Sequence, residues 1–179
     1  AFKPRVEGQP LAENFDPVIL YKTFSGAMNY RAIGASLRTQ PSGAAVNATN
    51  DCAFVDFATG TQAPLDMPPG SSVRAAYLYW AGQGSPGQTP EQIDDTVTFG
   101  RVGSAEFQVV ADDVFNIIGA STQQVDFFAA YADVTDIVSI NGDYRLRNFA
   151  VSNVGDWSNN ATCAAGWSLV VIYDNDDEQ

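Results

Sequence analysis

The sequence contains no histidine, and this absence restricts the chemistry that the chain can perform. Without an imidazole, no side chain has an ordinary pKa suited to a general base near neutral pH, and neither a Ser-His-Asp triad nor a histidine-ligated zinc site can form. Carboxylate pairs such as Asp112 and Asp113 remain, but neighbours on a strand point to opposite faces and make poor acid–base partners. We therefore expect no enzymatic activity, and a hydrolase is the least favoured alternative.

Basic residues are scarce as well, with 9 Lys and Arg against 21 Asp and Glu, which gives a net charge of −12. A nucleic-acid-binding protein needs a basic surface, so the sequence predicts no nucleic-acid partner. No apolar run approaches the length of a membrane-spanning helix, which predicts no membrane span. Because only 17% of the residues are charged, many surface positions must be neutral polar residues, a composition common in extracellular β proteins.

Cysteine is limited to Cys52 and Cys163, which lie far apart in the chain without a metal-binding motif. Such a pair favours one long-range disulfide formed in an oxidising compartment, and closing so long a loop would contribute about 4–5 kcal/mol. The alternative is two free buried thiols. A start at Ala1 without an initiator Met also suits an exported chain whose signal has been removed. We expect a secreted protein, in the extracellular space or on a bacterial cell surface.

Two segments have the composition of central strands. Residues 72–80 and 167–173 are rich in β-branched and aromatic side chains and largely apolar on both faces. Such strands are expected to be buried on both sides, with Trp80 and Trp167 in the core.

Shorter segments complete an all-β pattern. Residues 95–99 and 106–111 alternate with period two around a turn at Gly100 and Gly103. Many short strands with turns about every 8–12 residues are typical of a sandwich. The sequence therefore predicts a single antiparallel β-sandwich, of the jelly-roll or Ig-like kind, over residues 21–179.

The segment 126–140 is ambiguous, because its apolar residues fit one face of a short helix as well as a strand. Asn141-Gly142 is a strong local turn signal, since both residues tolerate the positive φ of a type I′ turn. This pair predicts a hairpin that joins a strand at 134–140 to a strand at 143–151.

The first twenty residues differ from the rest, because Pro4, Pro10 and Pro17 rule out a regular helix and favour extended backbone. We expect residues 1–20 to form an extended arm that acts as a donor strand in assembly. The apolar side chains that such a strand would insert are Phe2, Val6, Leu11, Phe15, Val18 and Leu20.

Four segments, in this order, resemble one family of proteins. They are residues 28–32, 69–82, 131–135 followed by 141–142, and 163–173. The most specific are Ala-Tyr-Leu-Tyr-Trp and Gly-Trp-Ser-Leu-Val-Val-Ile-Tyr. They resemble the amino-terminal domain of large secreted bacterial surface proteins whose later parts carry conserved immunoglobulin-like repeats. The resemblance implies a β-sandwich, a surface location, an adhesive or biofilm-matrix function and no catalytic residues.

In proteins of that family the chain continues past the acidic turn into further strands, whereas this sequence ends at Gln179. A sandwich without those strands would expose apolar edges, which folded proteins normally cover. Either the chain is a fragment or another segment completes the sheet. We expect residues 1–20 of one subunit to complete the next in a head-to-tail filament, so the partners are further copies of the chain or other surface components.

The alternative function is a carbohydrate-binding module. Trp157 lies in a polar loop, where its ring would stack on a sugar with help from acidic loops, although such a residue also serves as a loop anchor. Asn47 and Asn160 lie in Asn-X-Thr triplets, and we expect neither to be glycosylated in a bacterial protein.

The acidic carboxyl-terminal segment is the candidate cation site. Asp174, Asp176 and Asp177 supply the carboxylate oxygens that a hard cation prefers, which makes structural Ca²⁺ the one cofactor to consider. The alternative is a plain acidic terminus that limits aggregation.

Overall fold

In the computed structural model, the described residues are 20–37, 58–84, 94–117, 126–149 and 165–177. Within these ranges the chain forms nine β-strands and no helix. The strands are β1 (Met28–Ser36), β2 (Thr61–Leu65), β3 (Ser72–Gly84), β4 (Thr96–Arg101), β5 (Glu106–Val110), β6 (Asp113–Ile117), β7 (Asp126–Asp133), β8 (Gly142–Arg147) and β9 (Ala165–Asp174).

The strands form two antiparallel sheets that pack face to face. One has five strands in the order β1-β9-β3-β7-β6, and the other has four in the order β2-β8-β4-β5. Leu78 and Leu169 of the first sheet share a buried core with Phe99 and Leu146 of the second. The predicted all-β antiparallel sandwich is therefore confirmed.

The two central strands of the five-stranded sheet, β3 and β9, are those that the sequence marked as most apolar. Trp80 and Trp167 are directly opposite each other in their register and are buried at 1% and 5% exposure, as predicted. Each indole N–H has a partner: Trp80 donates to the Asp94 carbonyl and Trp167 donates to the Thr61 hydroxyl, both at 2.9 Å. Hydrogen bonding of these groups offsets the free energy of removing them from water.

The hairpin predicted at Asn141-Gly142 is wrong. β8 pairs with β2 and β4 rather than with the segment before it, which is a turn closed by the bond from the Val138 N–H to the Val134 carbonyl. The Asn141 side chain instead accepts a bond from the Met67 N–H and donates one to the Met67 carbonyl, both at 2.8 Å. The side-chain amide of Asn141 thus pairs with the Met67 backbone as a peptide group of a neighbouring strand would. The residue that indicated a local turn makes a long-range contact instead.

The ambiguous segment at 126–140 begins as a strand. β7 pairs with β3 on one side and with β6 on the other, so its backbone is used by the sheet. Phe128, Ala130 and Ala132 alternate along it and point into the core. The helical alternative for these residues is wrong because cross-strand pairing outweighs the local preference of alanine.

Candidate functional site

β1 forms one edge of the five-stranded sheet. It pairs with β9 over its full nine residues, from Met28 opposite Asp174 to Ser36 opposite Gly166, without a shift in register. No strand among the described residues pairs with its other side, which we call the free edge. A long regular strand with an unpaired side is a template for the addition of another strand.

The hydrogen-bond alternation identifies which residues face the free edge. Just beyond the two ends of β1, the Leu37 N–H donates to the Ala165 carbonyl at 3.0 Å, and the Asn175 N–H donates to the Ala27 carbonyl at 3.1 Å. These bonds join directly opposite residues in the register of β1 and β9, so the odd-numbered residues of β1 bond to β9. Even-numbered residues such as Ala32 therefore direct their N–H and C=O groups to the free edge.

The free edge is most open near its centre. At Tyr30 the N–H is already used, because it donates to the Asn29 side-chain oxygen at 2.8 Å. Ala32 and Gly34 follow, both exposed, and a Cβ atom at Gly34 would collide with the Trp167 carbonyl oxygen. This position therefore needs glycine, and the strand there has no side chain of its own to shield its backbone.

The other edges offer less for strand addition. β2 contains Pro64, which is tolerated on an edge strand because no neighbour needs its missing N–H, and which offers no donor to an added strand. β5 and β6 have five residues each and are joined by a corner at which the Ala111 N–H donates to Asp95 and the Asp112 N–H donates to Tyr131, both at 2.8 Å. The chain itself thus crosses from one sheet to the other on that side of the sandwich.

The outer side of the five-stranded sheet carries a row of rings, which we call the aromatic face. It consists of Tyr79, Tyr131 and Phe115, with the small residues Ala81 and Ala129 beside them. The ring centroid of Tyr131 lies 6.1 Å from that of Tyr79 and 6.4 Å from that of Phe115. Tyr79 and Phe115 are 43% and 53% exposed, which is a large amount of aromatic surface to leave in water.

One end of this sheet surface is covered by the chain just before β1. The ring of Tyr21 packs edge-on against Tyr77 at 5.7 Å and against Tyr131 at 6.0 Å. Tyr77 is only 5% exposed, and its hydroxyl is the one buried side-chain polar atom without a partner in the part of the chain that the structure describes. Burial, and then the nearby Asp133 carboxylate, raises the pKa of Tyr77.

From Tyr21 the chain crosses the end of the sheet to reach β1. Arg74 fixes this crossing, since its guanidinium donates to the Ser25 carbonyl at 3.1 Å and forms an ion pair with Asp174 at 2.9 Å. The path runs from the rings on β3 and β7 across to β1 at the sheet edge. The described chain therefore begins at the aromatic face and not at the free edge.

The outer side of the four-stranded sheet, which we call the charged face, has a different chemistry. Glu106 on β5 binds two arginines of β8: one carboxylate oxygen accepts bonds from Arg145 at 2.8 and 2.6 Å, and the other accepts a bond from Arg147 at 2.6 Å. Burial alone would raise the pKa of Glu106, but the hydrogen bonds from both arginines outweigh it and lower that pKa. Both carboxylate oxygens of Glu106 thus find charged donors within the sheet.

Several residues singled out from the sequence lie outside the described residues. They are Trp157, Cys52, Cys163, Asn47, Asn160 and the arm residues Phe2, Val6, Leu11, Phe15 and Val18. Of the predicted assembly residues only Leu20 is described, and its side chain is 82% exposed. The disulfide, the sugar-binding loop and the donor strand stay predictions.

The three aspartates proposed for calcium do not converge. Asp174 is paired with Arg74, while Asp176 and Asp177 are exposed in the turn that follows β9. Over the described ranges, no cluster of three or more acidic or thiol side chains is arranged to hold a metal ion. Calcium binding therefore stays a prediction without a preformed ligand set. The described residues likewise include no helix long and apolar enough to span a membrane.

Sequence reasoning missed both Ala32 on the free edge and the rings of the aromatic face. A signal for the rings was present, because Tyr77 and Tyr79 alternate with Leu78 and Trp80 and so fall on the opposite side of β3 from the core. The expectation that residues 72–80 are buried on both faces led away from it. The free edge has no local signal, since it depends on which strand ends the sheet.

No family model, curated protein or solved structure matches this chain. The resemblance to bacterial surface proteins is therefore not supported by these comparisons and stays a prediction.

Proposed function

We propose that this protein is an extracellular structural or adhesive subunit that assembles by β-strand addition, with residues 1–20 of one molecule pairing along the free edge of β1 in the next. The observation that carries the proposal is the free edge itself. It offers an uninterrupted run in register with β9, and the backbone groups that Ala32 and Gly34 direct to it have no strand partner among the described residues. Strand addition satisfies such groups and gives affinity through main-chain hydrogen bonds.

The position of Tyr21 favours donation of the preceding residues to another molecule. The chain enters the domain beside Tyr77 and Tyr131 on β3 and β7, whereas β1 lies at the sheet edge, separated from β3 by β9. A donor that leaves at one place and an acceptor edge at another form a head-to-tail contact. Such a contact repeats without limit when the rotation between copies does not close, which is the geometry of a filament.

The composition of the arm supplies the apolar contacts that the pairing needs. In an extended strand, alternate side chains reach the same face, and apolar groups there bury surface at about 25 cal/mol per Å². Phe2, Val6, Phe15 and Val18 are candidates for such anchors. Each added main-chain hydrogen bond contributes a further net stabilisation of about 1 kcal/mol.

Two substitutions at Ala32 test the acceptor edge in the full chain. Ala32→Pro removes an N–H that faces the free edge and leaves the bonds to β9 in place, while Ala32→Ser keeps that N–H and is the matched control. We expect Ala32→Pro to be a folded monomer with a cooperative thermal unfolding transition. It should form no assemblies in sedimentation velocity or electron microscopy. The Ser variant should assemble like the wild type.

Ala35→Pro serves as a second control, because Ala35 bonds to β9 and proline there should destabilise the fold itself. If wild-type protein remains monomeric at high concentration, or if Ala32→Pro assembles as the wild type does, strand addition at β1 is wrong. Recovery of the native protein from the cell interior, rather than from the surface or the medium, would contradict the extracellular part of the proposal.

A further inference from the structure

We infer that the aromatic face is a docking surface for the chain's own arm, with residues 15–19 lying across Tyr79, Tyr131 and Phe115 of the same molecule. This contact would exist in the monomer and does not depend on assembly. If the arm also serves as a donor strand, it must leave this surface before it pairs with a neighbour.

The first support is that the outer side of this sheet is only partly covered. Beneath Tyr21, Tyr77 is 5% exposed, whereas Tyr79, two residues further along the same side of β3, is 43% exposed. Phe115 on the edge strand β6 is 53% exposed. A contiguous apolar area with one end already covered by the chain indicates a contact surface that continues beyond the covered part.

The second support is the point at which the described chain begins. Leu20 directly precedes Tyr21, whose ring contacts Tyr131, so a docked segment of residues 15–19 would begin next to Tyr131. The ring of Phe115 is a further 6.4 Å from that of Tyr131, and an extended chain covers about 3.3 Å per residue. Five residues are therefore long enough to cross the aromatic face.

The third support is the chemistry of residues 15–19, which are Phe-Asp-Pro-Val-Ile. Four of the five are apolar and match a surface of rings and alanine methyl groups. A segment that lies flat on a sheet face has no ladder partner for its N–H groups, and Pro17 has none to satisfy. Extended proline-containing segments commonly dock on aromatic surfaces for this reason.

An independent observation comes from the Tyr77 hydroxyl. It is buried and has no hydrogen-bond partner among the described residues, although a buried hydroxyl nearly always has one. It lies under Tyr21, where the arm joins the domain. A backbone carbonyl of the docked arm would accept its hydrogen, so one contact would both cover the rings and satisfy the orphan group.

The first experiment records methyl NMR spectra of the full chain at a concentration where sedimentation shows only monomer. The reporters are the exposed alanines of the aromatic face, Ala81 and Ala129, and Ala105 in the β4–β5 turn is the control methyl group. Val18→Ser should shift both reporters and leave Ala105 unchanged. Val6→Ser, the same substitution elsewhere in the arm, should move none of the three.

The second experiment tests the hydroxyl by combining Tyr77→Phe with Val18→Ser. If the arm accepts the hydrogen bond, Tyr77→Phe should lower the Tm of the wild-type chain by about 3 °C, the shift expected for one net hydrogen bond in a chain of this size. In the Val18→Ser background the same change should be neutral or slightly stabilising, because the hydroxyl there is already unpaired.

Three results would overturn the inference. Reporter shifts that appear only as the concentration rises would assign the surface to the arm of a second copy. Shifts caused by added oligosaccharide, with no response to Val18→Ser, would assign it to a sugar. Identical spectra for the wild type and Val18→Ser, with Tyr77→Phe neutral in both backgrounds, would show that residues 15–19 do not touch it. The last two are measured in monomer and the first by a concentration series, and none of them uses the Ala32 variants that test assembly.

Discussion

The two outer faces of this sandwich are built on the same alternation but carry opposite chemistry. On the charged face, Glu106 holds Arg145 and Arg147 in a closed set of hydrogen bonds. On the aromatic face, Tyr79 and Phe115 stand exposed beside alanines. The inner faces do not differ in this way, since both sheets contribute fully buried apolar side chains to one core.

This difference indicates which surfaces of the sandwich contact other chain segments. A face whose charged groups are hydrogen-bonded to one another and partly hydrated is stable in contact with water. A face of half-exposed rings is favourable only when something covers it. The same five-stranded sheet also ends in β1, whose backbone groups at Ala32 and Gly34 have no strand partner among the described residues. The edge of this sheet is therefore the place for a second molecule, while its outer face is the place for the chain's own arm.

The largest effects should come from the core, where the two sheets are equivalent. Leu78 and Leu146 are both fully buried, one in each sheet. Each substitution to alanine should lower the free energy of unfolding by about 2–5 kcal/mol, measured by chemical denaturation. A large loss for one leucine and none for the other would mean that the sheets do not unfold as one unit.

The next effect is specific to the charged face. Glu106→Gln removes the charge shared by Arg145 and Arg147 and should cost about 1–3 kcal/mol of unfolding free energy. Since the folded state lowers the pKa of Glu106, this contribution is present above the ordinary glutamate pKa of about 4.3 and is lost as the pH falls through the lowered value. The wild type and variant should therefore converge in acid. A constant difference between them down to the lowest pH would contradict the ion-pair role.

A smaller effect should come from the covered end of the aromatic face. Tyr21→Ala removes two edge-on ring contacts, to Tyr77 and Tyr131, and should lower the unfolding free energy by about 1 kcal/mol. It should also increase the exposure of Tyr77, seen as faster nitration of that ring. Tyr30→Ala is the matched control, because Tyr30 is similarly exposed and should change stability little.

The smallest effect is the alkaline counterpart of the glutamate test. Burial raises the pKa of Tyr77, so the neutral ring stabilises the fold below the ordinary tyrosine pKa of about 10, and this contribution is lost as the pH rises through the raised value. Tyr77→Phe cannot ionise and should lose less stability in alkali than the wild type. Parallel curves for the two proteins above this pH would exclude a role for Tyr77 ionisation.

The sequence predicted those parts of the fold that depend on local composition. The sequence indicated the apolar strands β3 and β9 and the hairpin of β4 and β5. Each of these segments shows its burial or its period-two alternation in its own residues. The Asn141-Gly142 hairpin was wrong because the use of a turn residue depends on a distant partner, here Met67. Two features could not be predicted: which strand ends the sheet, and the ring contacts that Tyr21 makes with β3 and β7. Both depend on the order in which distant strands pair.

The central claim is that the free edge of β1 receives a strand. Amide hydrogen exchange at Ala32 and Gly34 tests it most directly, with Ile33 as an internal reference because its N–H already bonds to β9. We predict that Ala32 and Gly34 exchange rapidly in the monomer and become as protected as Ile33 in the assembled protein. Rapid exchange at both residues in the assembly would contradict the claim.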